Sequence, residues 1–412
     1  MSPPILPTLL QGQARRNYLL VSAYVAAFFF AQAAAISLLS IWLSQRLGLS
    51  GVQVGTVFAA NFIAAMACQP LYGWLSDRMG FRRTVPLAIA GMVVMAGPFF
   101  SFVYAPLLRD HLLAGAILGG AYIGATFVAG SYAIETFVDR VSRRDGFEYS
   151  RARLWGSLGF SLAALFSGRL FNVDPRINFF LASAAGLVLV PLILALRSPA
   201  ATPTLTPSRP ITLADSLGVL RLVKFWRFMV LILGVTNLYL VYDQQFPAYF
   251  ASLFPTRAGG NAMFGYLNSA QIFLEAGMMF VAPILVNRIG IKRGLLLATT
   301  IMILRIAATG VASGPVSICA CKMLHSLELP ILLVSIFRYI AAHFEARFSG
   351  TLYMVGVSFG HSLGLAILSP IVGRLYDAIG YRHTYFTIAG FALCFWVASL
   401  FALAPDPAPG KD

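Results

Sequence analysis

The chain has 412 residues, 58% of them hydrophobic and only 11% charged, with a mean hydropathy of +0.78. A soluble protein carries roughly a quarter charged residues, so this composition excludes a soluble globular domain and marks an integral membrane protein. The formal net charge of +15 does not point to nucleic acid, because no nucleic-acid-binding module is visible; basic loops facing an anionic cytoplasmic leaflet account for it.

The first apolar run, at about 18–43, is too long for a signal-peptide core and has no convincing cleavage site, so it reads as the first membrane span. Eleven more runs follow, at about 53–75, 84–106, 112–138, 153–172, 178–197, 226–253, 263–286, 294–312, 315–341, 350–371 and 384–404. Continuous apolar runs of ~20 residues suit helices rather than a barrel. The expected fold is therefore all-α, with twelve transmembrane helices. An even number puts both termini on one side. The tails and the loops that follow even-numbered spans hold most of the 30 basic residues, among them Arg15, Arg16, Arg140, Arg143 and Arg144. Positive-inside then places both termini in the cytoplasm.

Residues 197–222 contain the one long polar, Pro/Thr-rich stretch, RSPAATPTLTPSRPITLADS. It reads as a cytoplasmic linker between an N-terminal six-helix bundle (1–196) and a C-terminal one (223–412). The halves echo each other. GWLSDRMGFRR (73–83) follows span 2 and VNRIGIKRG (286–294) follows span 8. SGRLFNVDPR (167–176) closes span 5 and VGRLYDAIGYR (372–382) closes span 11. Two echoes at nearly one offset argue for an internal duplication, and paired six-helix bundles around a midplane cavity are a transporter architecture. The four cysteines all lie in apolar runs, and neither a disulfide framework nor a metal site follows from them. No nucleophile–base arrangement, metal cluster or nucleotide loop suggests an enzyme.

Inside the expected spans lie four acids, Glu135, Asp243, Glu275 and Glu328, and three bases, Arg153, Arg305 and Lys322, joined by His325 and His361. A charge at the centre of a span costs roughly 2.5–3.5 kcal/mol. These groups must face a cavity or one another. Lys322, His325 and Glu328 follow at i, i+3 and i+6, within one broad side of a helix. With all seven charges ionised, one carboxylate has no base to match it, and one bound proton restores balance. A one-proton cycle is the expectation.

The loop GWLSDRMGFRR matches the major facilitator signature, with Asp77, Arg78, Gly80, Arg82 and Arg83 placed to turn the chain and clamp neighbouring helix ends. Beyond that loop, almost the whole chain resembles the lactose permease group of oligosaccharide–proton symporters. The resemblance is carried by CQPLYGWLSDRMG (68–80), AIETFVDRVSRRDGFEYSRARLWGSLG (133–159), VYDQQF (241–246), FGYLNSAQ (264–271), KMLHSLELPILLV (322–334) and FEARFSGTLY (344–353). It implies that Glu135 and Arg153 bind sugar hydroxyls, with Phe127 and Ser131 on the same helix also in contact. Glu328 matches the carboxylate that carries the coupled proton, and Arg305 the arginine that assists its release. His325 matches the histidine linking the sugar and proton sites, and Tyr239 the tyrosine beside it. Lys322 and Asp243 match a charge pair. The same resemblance implies a sugar and a proton as the only small-molecule partners, no cofactor, a monomer, and a bacterial inner membrane.

Three positions depart from the galactoside-transporting members. Phe160 replaces a tryptophan, Ile272 a glutamate and Glu275 an asparagine. The carboxylate has thus moved one helical turn along one face. Leu240 and His361 replace a second charge pair. With Asn268 and Gln271 nearby, the pattern is similar to the sucrose-type members. Symport of sucrose or another non-galactoside disaccharide is the leading expectation. A galactoside symporter is the alternative. A drug exporter is a weaker rival, because it has no need of the matched polar set, and a sugar sensor is disfavoured by the short linker and tails.

Overall fold

The computed structural model describes residues 12–79, 83–196, 222–344 and 359–406. Six helices precede the linker: α1 (Gly12–Gln45), α2 (Gly51–Met79), α3 (Thr84–Val94 and Ala96–Asp110, bent by 44°), α4 (Leu112–Asp145), α5 (Tyr149–Val173) and α6 (Pro175–Ala195). Four more follow it: α7 (Val223–Ser252), α8 (Arg257–Ile289), α9 (Ile291–Val311) and α10 (Pro315–His343). The last apolar segment, Gly360–Ala402, is 43 residues long. As a straight helix it would reach about 65 Å, twice the thickness of a bilayer core. Gly380, with φ 74° and ψ 168°, breaks it into α11 (360–379) and α12 (381–402). A side chain at that φ/ψ would clash, so the turn needs glycine.

The described helices therefore make twelve spans in two six-helix bundles, as expected from the sequence. The chain is a multi-pass membrane protein. Large apolar side chains such as Phe102, Ile117, Phe280 and Phe401 are 65–84% exposed on its flank, where lipid covers them.

The duplication read from the sequence is visible as paired contacts. Between α2 and α3, Arg83 donates to the Leu194 carbonyl at the end of α6 over 2.7 Å. In the second half, Lys292 donates to the Leu400 and Leu403 carbonyls at the end of α12, over 2.8 and 2.9 Å. Each base satisfies carbonyls that a helix end leaves without intrahelical partners. Of the signature loop, Arg83 is thus seen to hold a neighbouring helix end. Gly80 and Arg82 lie outside the described residues, and of Asp77 and Arg78 only the helical backbone is described.

The other echo closes one end of the molecule. Gly373 of α11 lies against Gly51 of α2, where a Cβ on Gly373 would come within 2.2 Å of the Gly51 carbonyl oxygen. Its counterpart, Gly168 of α5, meets α8, where a Cβ would come within 2.1 Å of the Asn261 oxygen. Four residues further on, Asp377 and Asn172 tie each crossing. Asp377 accepts from the amides of Gly51 and Val52 over 2.6 and 2.8 Å, and Asn172 donates to the Ala258 carbonyl over 2.7 Å. Gln45 and Asn261 exchange hydrogen bonds beside them. All these bonds lie at the loops that follow odd-numbered helices. Asn261 also donates to the Asn172 side-chain oxygen over 3.1 Å; further bonds between the bundles are Gln245 to the Gly51 carbonyl at the same end and Ser161 to Ser269 near mid-span.

Asp377 is an anion on the first free amides of α2, where the helix dipole favours it. Hydrogen bonds to a charged group contribute about 1.5–3 kcal/mol. Asp377→Ala should speed amide hydrogen exchange at Gly51 and Val52 by about tenfold or more, the factor matching that energy. Exchange at the wild-type rate would show that the carboxylate does not hold this end.

Candidate functional site

Between the bundles lies a cavity of about 370 Å³, within the ~300–1,000 Å³ typical of small-molecule sites. One wall sets the rings of Phe29 of α1 and Phe160 of α5 beside Gln32 and Arg153; the other carries Asn268, Gln271 and Glu275 of α8 with Lys322 and His325 of α10. Ile272 also lines it. Phe160, Ile272 and Glu275, the three positions where the sequence departs from galactoside-type members, therefore converge on one space.

Arg153 reaches the cavity because α5 lies tight against α1. A Cβ on Gly159 would approach the Ala26 carbonyl oxygen to 2.1 Å, so glycine permits that contact. Arg153 then lays its guanidinium on the Phe29 ring, 4.1 Å from the centroid, and donates from Nε to Glu135 Oε1 over 2.6 Å. Both side chains keep about a third of their surface open, 32% and 29%. A fixed guanidinium fork beside a carboxylate offers donors and acceptors to adjacent hydroxyls.

Phe127 and Ser131 are not in the cavity lining. Phe127 is fully buried and packs on Tyr122, and the Ser131 hydroxyl bonds the Val128 carbonyl of its own helix. The resemblance implied that both contact sugar. A π-helical segment, Gly124–Ala129, intervenes. Its wider turn rotates Phe127 away from the face that holds Glu135. In its place Gln32 of α1 reaches the cavity and donates to the Phe127 carbonyl over 2.9 Å. Gln32, Phe29, Phe246 and Phe264 are cavity residues that the sequence reading missed. A polar Gln32 inside the first apolar run was the available signal.

Beyond His325 the polar wall deepens into a charge cluster, reached from the cavity through Asp243, which lines it. Arg305 of α9 and Glu328 of α10 have fully buried side chains. Arg305 Nε lies 2.9 Å from Glu328 Oε1, an ionic contact without hydrogen-bond alignment. Its terminal nitrogens donate to Asp243 of α7 over 3.2–3.3 Å. The guanidinium sits between the rings of Tyr239 and Tyr242, 4.9 and 4.8 Å from their centroids. His325 Nδ1 is 2.9 Å from Glu328 Oε1 and bonds the Tyr239 hydroxyl. Glu328 Oε2 finds no donor among the described residues.

Local sequence explains why α10 can present these groups. Pro330 lacks an amide hydrogen and cannot bond the Ser326 carbonyl, and the helix is interrupted at Leu324, between Pro315–Met323 and His325–His343. Interrupted helices lining a cavity are how membrane proteins place polar groups at depth.

One pairing differs from expectation. Asp243 is held by Arg305, not by Lys322. Among the described residues no carboxylate oxygen lies within 4.0 Å of Lys322 Nζ. A guanidinium presents five donors in a planar fork and can serve two carboxylates at once, which an ammonium does less well. His361 bonds the Thr236 hydroxyl over 2.8 Å, consistent with its standing where a charged member of a pair would otherwise be.

Comparison with known proteins gives a concordant result. The family model described as LacY proton/sugar symporter matches residues 11–408. Raffinose permease of Escherichia coli is 38% identical over 387 residues, covering 92% of this chain and 91% of that one. Sucrose permease of Escherichia coli is 34% identical over 388 residues, covering 94% of each. Melibiose permease of Enterobacter cloacae is 38% identical over 394 residues, covering 94% of this chain and 93% of that one.

Removing one member of a buried ionic network leaves uncompensated charge and costs about 3–5 kcal/mol. Arg305→Met should therefore lower the thermal unfolding midpoint of the purified protein clearly, and adding Glu328→Gln should recover part of the loss. A single variant that melts like the wild type would remove Arg305 from the centre of the cluster.

Proposed function

As the chain belongs to the LacY family of proton/sugar symporters, we propose that its central cavity takes up a sucrose-type sugar together with one proton by alternating access. The observation that carries this reading is the convergence of Arg153, Phe160, Asn268, Gln271 and Glu275 around one space, with Glu135 outside the lining but bonded to Arg153, a space that opens onto His325 and the buried Arg305–Glu328 pair.

In this reading a sugar hydroxyl pair docks on the Glu135–Arg153 fork, and a sugar ring lies against the Phe160 ring. Asn268, Gln271 and Glu275 receive further hydroxyls from the facing bundle. His325 touches both regions: it lines the cavity, and its Nδ1 lies at Glu328 Oε1. It is the link by which sugar occupancy acts on the proton site, with Tyr239 setting its position. Glu328 carries the proton. Arg305 faces two carboxylates, Glu328 and Asp243, so one negative charge is in excess around it until a proton binds. Proton release leaves Glu328 as a carboxylate against the Arg305 guanidinium. This local count sharpens the one-proton expectation.

The basic loops support cytoplasmic termini, which places the closed end, at Gly51–Gly373 and Gly168–Asn261, toward the periplasm and the cavity toward the cytoplasm. The halves 1–196 and 223–412 are the two moving bodies, 197–222 the tether, and the bacterial inner membrane the site of action. Sucrose is favoured over a galactoside because Phe160 offers no indole N–H and Glu275 stands one turn from the galactoside-type carboxylate position. The galactoside alternative keeps its support from the relative named melibiose permease.

Uptake of radiolabelled sucrose, raffinose, melibiose, lactose and maltose, in cells lacking their own carriers and with and without an uncoupler, tests the reading. Sucrose should accumulate best and the uncoupler should abolish accumulation. Preference for melibiose or lactose would select the galactoside alternative. Glu328→Ala should abolish uphill accumulation while leaving sugar exchange intact, and retained accumulation would remove Glu328 as the proton carrier.

A further inference from the structure

We propose that Lys322 is a hydrogen-bond donor to the transported sugar, and with Glu275 sets which hydroxyl pattern the cavity accepts. This rests on the reading of the cavity as the sugar site. It departs from the charge-pair role that the sequence resemblance implies for Lys322.

Three observations carry it. First, the ammonium makes no direct ion pair. Lys322 is only 6% exposed, yet among the described residues no carboxylate oxygen lies within 4.0 Å of it, since Asp243 is taken by Arg305. An ammonium has three N–H donors and needs acceptors when removed from bulk water. Second, Lys322 lines the cavity on the same wall as Asn268, Gln271 and Glu275. Its amine is held there between the rings of Phe246 and Phe264, 5.9 and 5.2 Å from their centroids, which orients a cation without consuming its donors in a salt bridge.

Third, the two cavity walls differ in a way that a ligand would explain. On the N-terminal bundle the acid and the base, Glu135 and Arg153, bond each other over 2.6 Å. On the C-terminal bundle the acid and the base, Glu275 and Lys322, share a wall but stand more than 4.0 Å apart. A hydroxyl both donates and accepts. One sugar hydroxyl set between them donates to the Glu275 carboxylate and accepts from the Lys322 ammonium, bridging an acid and a base that do not pair directly. Because this acceptor–donor order is directional, it discriminates between epimers whose hydroxyl points away.

The test uses the full-length purified protein, titrated calorimetrically with sucrose and with raffinose. Lys322→Met should weaken binding by about tenfold or more, as expected for loss of a hydrogen bond to a charged group, and Lys322→Gln, which keeps a neutral donor, should fall between the two. Asp243→Asn combined with Lys322→Met should bind no better than Lys322→Met alone. Unchanged affinity in Lys322→Met, or recovery in the double variant, would overturn the proposal and return Lys322 to the role of Asp243's counterion.

A second measurement needs no variant. The chain has only four lysines, Lys224, Lys292, Lys322 and Lys411, and the other three lie at helix starts or near the chain end, so acylation at Lys322 is readily separated by mass spectrometry. Saturating sucrose or raffinose should slow labelling of Lys322 and leave Lys224 unaffected; equal labelling would count against the proposal. Wild-type protein that binds neither sugar would overturn the proposed substrate itself, whereas wild-type binding with an indifferent Lys322 overturns only this assignment.

Discussion

The architecture turns on one burial. Arg305 is a permanently charged group with a fully buried side chain, inside a span whose neighbours are almost all apolar. Left alone there it would cost several kcal/mol. It is tolerated because two neighbouring helices bring it partners: Asp243 and the ring faces of Tyr239 and Tyr242 from α7, and Glu328 from α10. Helices α7, α9 and α10 are thereby tied at one depth. The interruption of α10 near Leu324 belongs to the same solution, since it sets Lys322, His325 and Glu328 where a cavity and a charge cluster meet.

That cluster makes sense only beside a cavity that two bundles share. The bundles meet through glycines at one end, where a side chain would strike the facing backbone. The two crossings are copies of one another in sequence, GRLFN at 168–172 and GRLYD at 373–377, but not in chemistry. Asn172 offers a neutral amide to a carbonyl, whereas Asp377 places a charge on the start of α2. A charge-assisted hydrogen bond is roughly twice as strong as a neutral one, so the α2–α11 crossing concentrates its hold in two bonds to one carboxylate, where the α5–α8 side spreads it over neutral amides. The duplicated fold has been kept while one copy of its fastening has been changed.

Much of this was legible beforehand because membrane burial penalises exceptions so heavily. Seven charges in apolar runs stand out in a chain with 11% charged residues. Glu135 with Arg153, and Glu328 with Arg305, were read as functional and are found in contact. Their separations in sequence, 18 and 23 residues, span a helix and a turn, so they could be inferred from the expected topology. Two readings failed for local reasons. Phe127 was carried over from the family resemblance, and it lies in a π-helical segment outside the cavity lining; no composition rule announces a π turn. Asp243 has two basic candidates at similar depth, Arg305 and Lys322, and spacing along a chain cannot say which of them reaches it.

The sequence by itself determined that this is a twelve-span, internally duplicated membrane protein with a polar interior, because hydrocarbon demands continuous apolar helices and forbids idle charge. It also determined which residues had to be inside. Only the tertiary structure decided who pairs with whom: Arg305 with both carboxylates, Lys322 with neither, Gln32 in the cavity and Phe127 out of it. Those outcomes depend on helix rotation and on distances of an ångström or two between different spans, and helical periodicity along one chain carries no information about the phase of its neighbours.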